Sequence, residues 1–402
     1  MATSRRLGLD RRGLLVGGAG FGLVGLGGCA LNTAPISMAA PYPLGPPIYP
    51  IRAEVERLFD ITVCLRPFRA AGPRLDAERI GETLVIHNYG HGGSGWSLSW
   101  GSGTQAVRMA MADGPKRVAV IGCGALGLTS AILAQEAGAE VTIYAKDLTP
   151  QTRSSRATGT WTPDSRIALT DKAAPGFADR WEEMARTSFK RYRQFLGLPG
   201  SPVEWRDHYS VSRLPSDPPK TRMTPPQGLT FAEYGDQIAD IMPHGHDLAP
   251  GSTPFGRREV RMGTQLQFNV ADYAHTLLAD FRAAGGKVVH REFNSPAEVA
   301  GLPEKVVINC TGYGARALMK DESITPVRGQ IAWLVPQAEV TYGLQFAGVN
   351  VVSRRDGIVV QDVAGGDMRG YGDENETPDR AEAAAAVRNI AALFDNFGGR
   401  SI

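Results

Sequence analysis

Three glycines, at 122, 124 and 127, are the first residues whose spacing implies chemistry. Gly122-Cys123-Gly124-Ala125-Leu126-Gly127 follows directly on Arg117-Val118-Ala119-Val120-Ile121, an apolar run suited to a buried parallel strand. Residues 128–137 have helical apolar spacing and end at Gly138, and residues 140–144 read as the next strand. Between a strand and a helix, GxGxxG is a specific signal for a dinucleotide. Gly122 permits the tight turn, Gly124 lets the backbone approach a pyrophosphate, and Gly127 lets helix and strand pack closely. The helix N-terminus then turns free N–H groups and a positive dipole end towards the phosphates. An acid for a ribose hydroxyl is expected roughly 20 residues on. Asp147 is the nearest, preceded by Lys146.

A second glycine tract lies in front. The strand-like residues 83–86 run into His87-Asn88-Tyr89-Gly90-His91-Gly92-Gly93-Ser94-Gly95-Trp96, then Ser97-Leu98-Ser99-Trp100-Gly101-Ser102-Gly103. So many glycines between a strand and a helix expected at 104–111 predict a backbone cradle around a ligand. His87 and His91 are four apart, but the glycines argue against the helix that would make them a metal pair. A structural or cofactor-facing role is expected for them. Cys29, Cys64, Cys123 and Cys310 show neither CxxC nor metal-ligand spacing, so no zinc site and no disulfide framework is expected. Cys123 and Cys310 fall at strand ends and read as small buried residues.

The elements that must carry these tracts are those of a loop-rich α/β chain. Of 402 residues, 43% are hydrophobic and 21% charged, and the net charge of +2 gives no reason to invoke nucleic acid. Residues 305–310 form another apolar strand ending in Thr311-Gly312, with a helix at 271–284 and a strand at 287–289 before it. Residues 180–195 have helical spacing that assigns Trp181, Met184, Phe189, Tyr192 and Phe195 to the core. The proline-rich stretch 211–228 reads as a surface excursion, 340–360 as strands, and 380–394 as a helix.

The first 30 residues read as a leader. Arg11-Arg12 precedes Gly13-Leu14-Leu15 and a weakly apolar run to Gly28, too short and glycine-rich to span a membrane. The paired arginines suggest twin-arginine export, and hence a place outside the cytoplasm, in the periplasm or at the cell surface. Asp10 stands where Ser or Thr is commoner, and Arg5-Arg6 offers a second pair. Leu26-Gly27-Gly28-Cys29 resembles a lipobox; a lipidated Cys29, the one expected link to a membrane, and an ordinary signal peptide both stay open. Residues 31–50 read as a linker.

Taken together, these segments resemble the D-amino-acid oxidase family. The tract from His87 to Gly95 with Trp100-Gly101, and upstream Leu65-Arg66-Pro67-Phe68-Arg69 and Pro73-Arg74-Leu75, resemble its most specific signature. Residues 120–128, Tyr144-Ala145, Thr149-Pro150 and Gly159-Thr160-Trp161 resemble its first βαβ unit and the following loop. Residues 307–312 and 326–330 resemble its late strand and turn. The order differs: in the family the His-Asn-Tyr-Gly segment closes the chain, so the sequence reads as a circular permutation. The termini of a domain tend to lie at the surface and near each other, which makes this tolerable.

The resemblance implies a Rossmann-like FAD-binding domain with a mainly antiparallel substrate-binding domain (α/β, with an α+β second domain). Residues 51–112 would complete the FAD-binding domain of 116–160 and 271–325; 161–270 and 326–375 would form the substrate domain; 376–402 would carry a C-terminal helix. It implies non-covalent FAD held by Gly122, Cys123, Gly124 and Gly127, by Lys146 and Asp147, by Thr152, Arg153 and Ser154, and by Thr158, Gly159, Thr160 and Thr311. Gly92, Gly93, Ser94, Gly95, Trp96 and Ser97 would complete the contacts. Arg66 matches the carboxylate-binding arginine, since a guanidinium holds a carboxylate by two parallel hydrogen bonds. Gly93 matches the carbonyl that meets the substrate amine. Phe346 and Asn350 stand where the family places substrate-facing tyrosines, with Tyr342, Arg354 and Arg355 nearby to compensate.

The implied reaction is oxidative deamination of a D-amino acid, by hydride transfer to flavin N5 and reoxidation by O2. It yields a 2-oxo acid, ammonia and hydrogen peroxide and needs no side-chain base. A related amine or imino-acid oxidase, or a flavin protein without turnover, are the alternatives that Phe346 and Asn350 favour. A homodimer is left open.

Overall fold

The computed structural model describes residues 47–217 and 229–395. The leader, with Arg11-Arg12 and Cys29, and residues 218–228 of the proline-rich stretch lie outside the described residues. Among the described residues no helix is long and apolar enough to cross a membrane.

The strands are β1 (Leu58–Arg69), β2 (Arg74–Ile80), β3 (Thr83–Tyr89), β4 (Arg117–Ile121), β5 (Glu140–Ala145), β6 (Val203–Val211) and β7 (His246–Asp247). They continue as β8 (Val260–Phe268), β9 (Lys287–His290), β10 (Val306–Asn309), β11 (Ile324–Leu334), β12 (Tyr342–Phe346), β13 (Val349–Arg354) and β14 (Gly357–Asp362). The helices are α1 (Gly95–Ala110), α2 (Ala125–Glu136), α3 (Phe177–Tyr192), α4 (Val270–Ala283), α5 (Pro296–Ala300), α6 (Ala315–Leu318) and α7 (Arg380–Phe394).

One sheet has the order β2-β3-β10-β4-β5-β9. It is parallel from β3 to β9, with β2 antiparallel at one edge. Its inner strands read as unbroken apolar runs because both faces are covered. Val85, Val118, Ala119, Val120, Ile143, Val307 and Ile308 are all fully buried. Burying each such Val or Ile contributes about 1.5–3 kcal/mol. Gly122 follows β4 and Thr311 follows β10, so both turns emerge from one end of adjacent strands. The Asn309↔Ile121 and Asn309↔His87 register places the end of β3 there as well. That common end is where ligands bind in open α/β sheets.

The other sheet has the order β1-β11-β14-β13-β12-β6-β8-β7, antiparallel except between β12 and β6. Helix α7 covers it, packing Ala383, Val387, Ile390 and Leu393 against Leu58, Leu344, Ile358 and Val360. Asp379 caps α7, its side chain accepting from Glu382 N–H at 3.0 Å. Ile51 and Ala53 join the same cluster, so the two ends of the described chain meet in space.

The structure corrects the sequence reading in three places. Helix α1 starts at Gly95, not near 104. Its glycines serve close packing: a Cβ on Gly101 would overlap the Met184 carbonyl of α3. The apolar run at 180–195 forms α3 from Phe177 and ends at Tyr192, with a short 3-10 turn to Phe195. The front segment is also not confined to the dinucleotide sheet. Its β2, β3 and α1 are, but β1 pairs with β11 through eleven registered positions and forms the edge of the antiparallel sheet.

Candidate active site

A cavity of about 820 Å³ opens where the two glycine tracts meet, within the usual size range of cofactor and ligand sites. Both tracts line it. Gly122 has φ +105°, and a Cβ there would lie 2.6 Å from the Cys310 carbonyl. A Cβ on Gly124 would lie 2.7 Å from Ser154 Oγ. Gly92, at φ +53°, sits against the Arg166 carbonyl, and a Cβ on Gly93 would lie 2.7 Å from Ser165 Oγ. These four glycines let the chain pack closely around the cavity, whereas a Cβ on Gly95 or Gly312, which also line it, would meet nothing within 4 Å. Helices α1 and α2 start at its wall without a side-chain cap, although the Ser154 hydroxyl accepts from Ala125 N–H at 3.1 Å. Two positive helix ends thus converge on one space.

The wall is basic. Arg66, Lys146, Arg153, Arg156, Arg166 and Arg291 line it, against Asp147, Glu292 and Asp367. Lys146 pairs with Glu292 at 2.7 Å, Arg153 with Glu376 at 2.8 Å and Arg166 with Asp367 at 3.1 Å. Among the described residues, Arg66, Arg156 and Arg291 have no carboxylate within 4.0 Å. Arg66 makes a long polar contact, Nη1 donating to the Val327 carbonyl at 3.5 Å. Burial holds its pKa below the usual guanidinium value. Burial, and Arg66 beside it, lower Arg166 to about 10.

The glycine tract is stitched to the Arg66 strand. Gly92 N–H donates to the Pro67 carbonyl at 2.8 Å, and His91 bridges Phe68. His91 is buried, and desolvation lowers its pKa to about 3. Ser102 donates to Asn88 Oδ1 at 2.6 Å, so His91 Nε2–H donates to Ser102 Oγ at 2.8 Å. That leaves Nδ1 as a buried acceptor with no partner.

Residues 117–401 match the protein family described as FAD dependent oxidoreductase. The chain belongs to this family. Similar curated relatives are D-amino-acid oxidases. That of Streptomyces coelicolor is 29% identical over 305 residues, covering 71% of this chain and 80% of the relative. That of Rubrobacter xylanophilus is 28% identical over 292 residues, covering 71% and 79%. Similar solved structures are an iminodiacetate oxidase from Chelativorans sp. BNC1 and an L-amino acid deaminase from Proteus vulgaris. The first has TM-score 0.46 and 15% identity, over 69% of this chain and 80% of that one. The second has TM-score 0.39 and 13% identity, over 62% and 61%.

This FAD-dependent oxidoreductase has a wall that fits its cofactor. The open backbone at Gly95 and Gly312, the paired helix N-termini and the cations Arg156 and Arg291 suit a pyrophosphate, and His91 Nδ1 is a buried acceptor without a partner. The cavity brings together Gly92, Gly93, Gly95, Trp96, Ser97, Gly122, Cys123, Gly124, Lys146, Asp147, Thr152, Arg153, Ser154, Thr158, Gly159, Thr160, Thr311, Arg66 and Asn350. Two expected cofactor residues stand behind the wall. Gly127 packs α2 onto the Gly122 carbonyl, and the Ser94 hydroxyl donates to Ser165 and Thr162 carbonyls at 2.9 and 3.1 Å.

Phe346 does not reach the cavity. Alternation along β12 turns Gln345 to it and buries Phe346 in the α7 cluster under Arg258. The three compensating residues do not reach it either. Tyr342 bonds the Tyr49 carbonyl, Arg354 binds Asp356 and the Ala157 carbonyl, and Arg355 reaches Ser201. Sequence reasoning missed Arg166, Gln345 and Gln361. Period-2 alternation through β12–β14 is the signal that could have found the two glutamines.

Proposed function

We propose that this oxidoreductase deaminates a D-amino acid oxidatively, releasing a 2-oxo acid, ammonia and hydrogen peroxide. The observation that carries the reading is Arg66, a buried guanidinium at the cavity wall that makes no salt bridge among the described residues. A substrate carboxylate would supply that partner by a charge-assisted pair of hydrogen bonds. The Gly93 carbonyl accepts no backbone hydrogen bond among the described residues and is free for a substrate amine. Bound FAD supplies the acceptor for the substrate's two electrons, which O2 then removes.

The chain's own part is to bind, orient and exclude water, and proximity accounts for most of such a rate. His91 lines the cavity and, with its pKa lowered to about 3 by burial, is neutral at neutral pH and serves as no general acid. The amine must reach the site neutral, and activity rises towards mildly alkaline pH. Residues 51–112 supply β3 and α1 ahead of β4, through the short turn at 111–116, which supports reading the chain as a circular permutation. We also read the leader as directing export.

A second reading, oxidation of an imino acid or secondary amine, is favoured by one observation: no tyrosine of β12 or β13 faces the cavity. An anaerobic screen of D- and L-amino acids and N-alkyl glycines for flavin bleaching separates the two. Bleaching by D-amino acids, with kcat/KM falling about 100-fold or more in Arg66→Ala, supports the first. Bleaching by secondary amines alone supports the second. If nothing bleaches the flavin, neither stands.

A further inference from the structure

We propose that Asn350 and Gln361 form a donor pair that selects substrates whose side chain ends in a carbonyl-oxygen acceptor, a carboxamide or carboxylate. The proposal rests on the reading of the cavity as an amino-acid oxidase site and deepens it.

Three amides stand in one row across three strands. Gln345 of β12 pairs with Asn350 of β13, and Asn350 pairs with Gln361 of β14. Directly opposed residues point to the same face of a sheet, and all three line the cavity. Gln345 is the exposed member, at the rim.

The inner two are held by their oxygens. The Thr158 hydroxyl donates to Gln361 Oε1 at 2.8 Å. His208 Nε2 lies 3.0 Å from Asn350 Oδ1, and because that oxygen only accepts, His208 carries the Nε2 proton. Burial keeps this imidazole neutral by lowering its pKa. Each oxygen is thus held by a protein donor, and the group of each amide left to bind a ligand in the cavity is its NH2. Neither NH2 has a protein partner among the described residues, so four N–H bonds seek acceptors. His208 and Thr158 are positioning residues that set this polarity.

The Arg66 guanidinium lies against Gly329 of β11, the strand next to β14. From Gly329 to Gln361 is one strand spacing plus about two residues along the strand, roughly 8 Å of backbone. A carboxylate and a second carbonyl separated by two or three carbons bridge that span with a hydrogen bond at each end. An apolar side chain would strand the N–H groups without partners, and a site built to donate rejects such analogues strongly. The donors are neutral and Arg166 is already neutralised by Asp367, so the site distinguishes acceptors from non-acceptors rather than charges.

The test uses the FAD-loaded full chain with D-asparagine, D-glutamine, D-aspartate, D-glutamate, D-leucine and D-lysine. The expected result is a kcat/KM for the four acceptor side chains at least about tenfold above D-leucine. Asn350→Leu and Gln361→Met each erase that margin, read as the kcat/KM ratio of D-asparagine to D-leucine, while FAD stays bound. Asn350→Asp, which turns a donor into an acceptor, moves the preference to D-lysine; it also serves if the apolar variants fail to fold. Equal use of D-leucine and D-asparagine by the wild type overturns the inference and leaves the oxidase reading intact. Loss of FAD in the variants with an unchanged substrate ratio overturns it too, because the amides would then hold the cofactor. If no D-amino acid is oxidised the oxidase reading fails, and spectral titration with D-asparagine against D-leucine still decides the donor pair. Tighter D-asparagine binding that Asn350→Leu abolishes supports it, and equal binding ends it.

Discussion

Arg66 and Gly329 share one spot: a Cβ built on Gly329 would lie 2.5 Å from the Arg66 Cζ. The glycine is the bed on which the guanidinium rests. Gly329→Ala should push the guanidinium off its seat without touching the glycine cradles. KM for a D-amino acid should rise about tenfold, the worth of a weakened charge-assisted hydrogen bond, with FAD affinity and kcat little changed. Steady-state kinetics on the FAD-loaded variant checks this, and an unchanged KM would mean that Arg66 does not hold the substrate.

Asp367 should matter to stability through Arg166. It accepts from the Arg166 backbone N–H at 3.1 Å, faces Nη1 at 3.1 Å, and its carbonyl accepts from Nε at 2.7 Å. Asp367→Asn keeps the shape and removes the charge, leaving a mostly buried cation beside Arg66. We expect a loss of about 1–3 kcal/mol in urea unfolding, reduced from a fully buried pair because Asp367 is partly exposed. No loss would show that solvent screens Arg166.

Gly101 should be intolerant of any side chain. It lies in α1 where α3 crosses, its N–H donates to Ser188 Oγ at 2.8 Å, and a Cβ would overlap Met184 backbone. Backbone cannot rotate away as a side chain can. Gly101→Ala should cost about 2–4 kcal/mol, read as a lowered Tm. A Tm within a degree of wild type would contradict the packing.

Stability should fall with acid over a defined window. His91 is held at a pKa of about 3 against 6.5 when unfolded, and burial lowers His87 and His208 as well. Between pH 6.5 and 3 the unfolded chain therefore binds protons that the folded chain refuses. The unfolding free energy rises with pH across that window and is level above it for these groups. For His91 alone the slope reaches about 1.4 kcal/mol per pH unit. Urea midpoints from pH 7 to 4 should show a shallower fall in His91→Gln, and an identical slope would place the acid sensitivity elsewhere.

Much of the dinucleotide half was legible because its signals are local. The strand, turn and helix around Gly122–Gly127 occupy one stretch, and each glycine has one physical reason to be there. Helix α1 was read short because Gly101 and Gly103 weigh against a helix in propensity, while their value lies in contacts with α3 and α2. Phe346 stands where the resemblance puts a substrate-facing tyrosine, but a one-residue shift in a strand reverses the face, and Gln345 takes the cavity side instead. The polarity of Asn350 was out of reach, since it is set by His208, 142 positions away in the chain.

The placement of β1 bears on how the polypeptide reaches its native form. Among the described residues its one strand partner is β11, and Leu58 faces Leu334 across most of the chain. Strand β3 likewise waits for β10. Neither sheet can be completed until synthesis has passed residue 300, so early-made strands stay open-edged meanwhile. Chains of such high contact order fold slowly and are prone to aggregate while they wait. Chains cut short before Ile324 should therefore accumulate as insoluble material rather than as a half-formed flavin cradle.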